Sequence, residues 1–130
     1  MQRMNTASAP SLTGISSMAT RALLAQLLQL HQDTSGHPTQ MLSIGGVDAL
    51  KRLQAGEAFD VAVLASDAIA KLVASGHALA NSVTPVAHSG VAAAVPAGAG
   101  VPDLSTEASV QAAVLAAPSI SYSTGPSGVA

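Results

Sequence analysis

Apolar residues at Ala22, Leu23, Ala25, Leu27, Leu28 and Leu30 recur at three- and four-residue intervals, which predicts a helix of about three turns over residues 18–30. A short strand is expected just before it, over residues 12–15. The polar stretch "DTSGHPTQ" then breaks the helix with a glycine and a proline, and "MLSIGG" reads as a second strand and its turn. "VDALKRLQAG" follows as a helix with a basic last turn and Gly56 as its stop signal. "FDVAVLA" is a near-continuous apolar run of the kind found in strands buried on both faces. "SDAIAKLVASG" is a third helix, capped by Ser66 or Asp67 and stopped by Gly76. Strands alternating with helices predict an α/β fold with a parallel sheet and right-handed crossovers.

Beyond residue 80 the rhythm changes. "SGVAAAVPAGAGVPD" reads as a strand entering a loop of small residues, "LSTEASVQAAVLAA" as a helix capped near Thr106 or Ser105, and "SISYS" as one more strand. Pro85 and its polar neighbours mark a boundary, so the expected organisation is a flexible lead-in over 1–11, βα units over 12–84, and a hinge with an incomplete second lobe over 85–130. The ending "TGPSGVA" is a turn that ordinarily leads into a covering helix, so the architecture reads as unfinished.

Composition narrows the class. Hydrophobic residues make up 48% of 130 positions but aromatics only 2%, so the core must be aliphatic, which suits α/β layering. Five Lys and Arg, all at or before Lys71, stand against seven Asp and Glu, and such sparse cations exclude a nucleic-acid footprint. The absence of cysteine excludes disulfides and thiolate metal sites. "MQRMNTASAP" lacks the apolar segment of a secretory signal, and the prolines and glycines between residues 77 and 102 argue against a membrane span.

In open parallel sheets, ligands collect beyond the carboxyl ends of the strands, which directs attention to the strand-to-helix turns. "GISSM", "SIGGVD" and "YSTGPSG" offer glycine and serine with free N–H groups, whereas "LASDA" places the Asp67 carboxylate where an anion would sit. Each donor-rich turn is open to two readings: a helix cap, or a set of dipoles aimed at a small oxyanion. Catalytic readings find less support. "GAG" at 98–100 lacks the rest of a dinucleotide fingerprint, no phosphate-loop motif exists, and "GPSG" is not a nucleophile elbow. His31, His37, His77 and His88 fit no metal-ligand spacing, and Asp33, Asp48, Asp60, Asp67 and Asp103 lie at caps and turns rather than as an acid/base pair. No catalytic residue, metal or cofactor is expected.

Taken together, "TGISSMATRALLAQLLQLHQDTSG", "IGGVDALKRLQAGEAFDVAVLASDAIAKLVASG", "HSGVAAAVP" and "SISYSTGPSG" resemble the substrate-binding proteins of molybdate-type ABC transporters over nearly the whole chain from Leu12 onward. The resemblance implies a type 2 periplasmic-binding-protein fold. In that fold two lobes close about a hinge, here over residues 85–94, on an oxyanion such as molybdate or tungstate, which is then delivered to an ABC permease. By position it implies ligand contacts at Ser16 and Ser17, at Gly45, Gly46 and Val47, and at Ser127 and Gly128. At the second of these turns the family commonly carries a serine hydroxyl, whereas glycine here leaves only backbone N–H donors. The resemblance further implies a periplasmic setting, a chain nearly twice this length, and sheet edges open to self-association. Other readings remain: a cytosolic ligand-sensing domain of the same fold, an α/β hydrolase- or transferase-like enzyme, and an inactive fragment.

Overall fold

A computed structural model of the protein describes residues 10–123. The chain divides into two units, Met1–Val86 and Ala87–Ala130. The first unit is built of β1 (Leu12–Ser17), a 3-10 turn (Met18–Thr20), α1 (Arg21–Ser35), β2 (Thr39–Ile44), α2 (Gly46–Gln54), β3 (Val61–Val63), α3 (Ser66–Ala74) and a second 3-10 turn (Ala80–Ser82). The three strands form one parallel sheet in the order β2-β1-β3.

Each crossover places its helix according to the direction of travel. The chain moves from β1 to β2 on one side and then back past β1 to β3, so two crossovers of the same hand must use opposite faces. Accordingly α1 lies against Thr39, Met41 and Ser43, while α2 and α3 cover the face that carries Ile15. Strand alternation sorts the side chains to match, Gly14 and Ser16 toward α1, Ile15 and Ser17 toward α2. A Cβ at Gly14 would meet the thioether of Met41, so a larger residue there requires the end of that flexible side chain to move aside.

The core sits on the α2/α3 face. Ile15, Ala49, Leu53 and Leu72 are buried, with Ile44, Leu50, Phe59, Ala62, Leu64, Ile69 and Ala78 packed around them. Two polar clamps fasten its lower rim. Asp60 Oδ2 accepts from the Thr13 N–H at 2.8 Å and from Thr13 Oγ1 at 3.0 Å, joining the start of β3 to the start of β1. Arg52 grips Glu57 with both nitrogens of its fork, Nε lying 2.6 Å from Oε2, and so closes the turn after α2.

Several expected boundaries shift. β1 runs through Ser16 and Ser17 instead of ending at Ile15, because both residues find ladder partners on neighbouring strands. α1 begins after a 3-10 turn and continues through "DTS" to Ser35, where the Thr34 and Ser35 hydroxyls donate back to the carbonyls of Leu30 and His31. It stops at Gly36, whose φ of 73° is the left-handed conformation that ends helices. α3 is capped by neither Ser66 nor Asp67: Ala65 occupies the cap and no side chain bonds the first turn.

The second unit holds α4 (Glu107–Ala116). Thr106 caps it: its hydroxyl accepts from the Ser109 N–H at 3.1 Å while Ser109 Oγ accepts from the Thr106 N–H at 3.0 Å. The strands expected from "SGVAAAVPAGAGVPD" and "SISYS" are irregular instead, among the described residues. A strand exists only through its ladder, and neither stretch forms one among the described residues.

Candidate functional site

The sheet register brings the ends of β1 and β2 level, with Ser17 opposite Ile44. The next residues, Gly45 and Gly46, cap and open α2, and a Cβ at Gly46 would lie 3.6 Å from Ser17 Cβ. Ser17 and the first turn of α2 therefore abut. On the other flank, β3 ends at Val63 and α3 opens at Ser66, so helices start above all three strand ends.

None of these starts in the first unit is closed by a side chain. Ser17, Thr20, Gly45 and Ala65 occupy the cap positions, and none makes a side-chain cap hydrogen bond, in contrast to Thr106 at the head of α4. Unpaired first-turn N–H groups carry the positive end of the helix dipole. The Ser17 side chain is half-buried and its hydroxyl makes no hydrogen bond among the described residues, whereas its carbonyl accepts from Thr20 Oγ1 at 3.3 Å.

The tandem serines have parted company. Ser16 points to the opposite face, fully buried, its Oγ 2.8 Å from Ser43 Oγ across the β1–β2 ladder. Gly45 is exposed, Gly46 half-buried, and Val47 presents 49% of its surface to solvent. Ser127 and Gly128 lie outside the described residues. The structure thus brings together Ser17, Gly45, Gly46 and Val47, and sends Ser16 elsewhere. Ser43 was not singled out by sequence reasoning; its signal is its place opposite Ser16, which requires the strand pairing to be known.

Acidic groups border the donors. Asp48 stands in the first turn of α2, its Oδ2 3.6 Å from where a Gly45 Cβ would be, and Asp67 stands in the first turn of α3 with Lys71 Nζ 3.9 Å away. These carboxylates satisfy part of the helix dipole themselves and disfavour a second anion nearby. Asp60 has its pKa lowered, first by the Thr13 N–H and then by the Thr13 hydroxyl, and Glu57 is lowered by the hydrogen bond from Arg52. Both act on the scaffold beneath the turns.

Histidines stay local. His77 Nδ1 lies 2.9 Å from Ser75 Oγ and His31 Nε2 lies 3.2 Å from Ser35 Oγ, each at the exposed end of its own helix. Among the described residues no group of three His, Cys, Asp or Glu is arranged to hold a metal ion.

A family model described as a bacterial extracellular solute-binding protein matches residues 12–130. The chain belongs to that family. No curated protein and no solved structure matches it. For an extracellular solute-binding protein the role is to bind a solute for transport, with an ABC-type permease as the general partner. The mixed α/β build of this solute-binding protein, with a three-stranded parallel sheet and four α-helices among the described residues, accords with part of the family's fold. Among its described residues no helix is long and apolar enough to cross a membrane.

Proposed function

We propose that this solute-binding protein takes a small oxyanion, molybdate, tungstate or a similar tetrahedral anion, at the carboxyl ends of β1 and β2. The Ser17 hydroxyl and the N–H groups of Gly45, Gly46 and Val47 are its donors in the first unit. Ser127 and Gly128 are assigned the matching role in a second lobe, on the strength of the family resemblance. Residues 85–94 are assigned the hinge on the same ground. Ser16 is a positioning residue in this reading, holding β1 to β2 from the far face.

The observation that supports the reading is the contact of Ser17 with an α2 N-terminus that no side chain caps. A dianion stripped of water must recover its lost hydration from donors, and uncharged amides and hydroxyls do so without a formal charge that would hold the ligand too tightly for release. Glycine at the cap suits such an approach because it sets no side chain of its own between the ligand and the backbone; the Asp48 carboxylate beside Gly45 opposes the anion, and the donors must outweigh it.

Thermal unfolding with molybdate, tungstate, sulfate and a small organic acid tests this directly. Any ligand that binds the folded state alone raises stability in proportion to the logarithm of its concentration above Kd. Ser17→Ala is expected to weaken the best tetrahedral anion about tenfold, the value of one hydrogen bond to a charged group. If no tetrahedral anion shifts the transition, the oxyanion assignment fails; a shift with the organic acid alone moves the solute class.

A further inference from the structure

Ser16 and Ser43 form a pair with one proton to spare. Two hydroxyls carry two donors, and the single 2.8 Å contact between their Oγ atoms uses one of them. Ser16 is fully buried and its hydroxyl has no other partner among the described residues, so its proton goes to Ser43; the reverse arrangement would strand a donor inside the protein. The half-buried Ser43 hydroxyl is thereby left with a proton to give outward.

Ser43 lines a groove of about 510 Å³ between β2 and α1. Leu24, Leu28 and Met41 supply its apolar surface, and Gln29 and Gln32 add amides. A helix that returns the chain between two parallel strands runs against them, so Arg21, the first residue of α1, stands at the Ser43 end. Gln32 stands toward Thr39, about 16 Å of helix away. Arg21 is exposed and makes no ion pair among the described residues, and no carboxylate lines the groove. Asp33 lies just past Gln32, outside the groove, where its carboxylate accepts from Gln29 Nε2 at 2.9 Å.

We propose that this groove binds a carboxylate carrying an unbranched aliphatic chain, its head taken by Arg21 and the Ser43 hydroxyl and its tail laid along Leu24, Leu28 and Met41 toward Thr39. The occupant follows from the distribution of groups. A guanidinium and a hydroxyl donor at one end, with no acid along the groove, fit a monoanionic head. The apolar surface beyond them gains only from a tail of matching character. An inorganic anion would leave that surface in water, and an aliphatic amine would set its charge against Arg21. The groove lies on the α1 face of the sheet, opposite the face that carries Ile15 and Ser17, so this inference does not depend on the oxyanion assignment.

Isothermal titration calorimetry with octanoate, hexanoate and butanoate, and with octylamine as the control for the head group, is the test. Affinity is expected to fall roughly two- to fourfold for each methylene removed, and octylamine is expected not to bind. Arg21→Gln should weaken octanoate about tenfold, and Ala25→Gln, which narrows the groove from the helix side, by at least as much, with far-UV circular dichroism unchanged in both. Saturating molybdate is expected to leave octanoate binding unaltered, which separates this groove from the turns at Ser17. Absence of saturable octanoate binding overturns the proposal. So does binding that octylamine matches, that is indifferent to chain length or to Arg21→Gln, or that molybdate displaces.

Discussion

Ser16 and Ser17 are neighbours with opposite surroundings, and the difference predicts different mutant phenotypes. Ser16→Ala removes the 2.8 Å partner of Ser43 from a fully buried position, so it is expected to cost about 1 kcal/mol of stability, read as a lower urea midpoint, with little effect on ligand affinity. Ser17→Ala should do the reverse. Asp60 supplies a second residue-scale prediction. Its pKa is lower folded than unfolded, so its contribution is complete above the unfolded value of about 3.9 and is lost as pH falls through the folded one. Acid unfolding should therefore be less steep in Asp60→Asn, measured by the change in urea midpoint on acidification. That two adjacent serines stand where a strand gives way to a helix was legible in the sequence. Which of them faces the α2 N-terminus was not, because a one-residue difference in where β1 ends reverses the assignment of faces.

At the scale of elements, the helix starts separate into two kinds. α4 is closed by the reciprocal Thr106 and Ser109 bonds, and replacing Thr106 with Ala is expected to cost about 1 kcal/mol locally. Faster hydrogen exchange at the first-turn amides of α4 would register it. α2 and α3 have no such closure, so their first-turn amides remain available to water or solute. The α2 and α3 helices and their parent strands could be read from periodicity and from Gly56 and Gly76, since those signals are local. The two expected strands beyond residue 87 failed for a related reason. An apolar run with small residues is compatible with a strand but does not make one, because a ladder needs a partner that the run itself does not specify.

For the whole molecule, the sheet order β2-β1-β3 puts β1 at the centre and Ile15 at the middle of the α2/α3 face. Ile15 is fully buried, so Ile15→Ala is expected to cost about 3 kcal/mol through lost burial and an unfilled cavity. Urea denaturation of the variant measures it, with a lowered midpoint and an unchanged slope. The opposite face is thinner: only Leu24 of α1 is buried, while Leu23, Leu27 and Leu30 remain exposed. The helix pattern was thus visible in the sequence without revealing which leucines pack.

The sequence by itself determined the α/β class, the alternation of strand and helix in the first unit, and the supply of uncharged donors at its turns, because each depends on residue type and spacing within a short window. Tertiary structure alone decided that Ser17 meets Gly46 while Ser16 meets Ser43, and that β1 lies between β2 and β3 among the described residues. Those relations depend on the register and order of strands far apart in the chain, and side-chain pattern within any one segment contains no record of its neighbour.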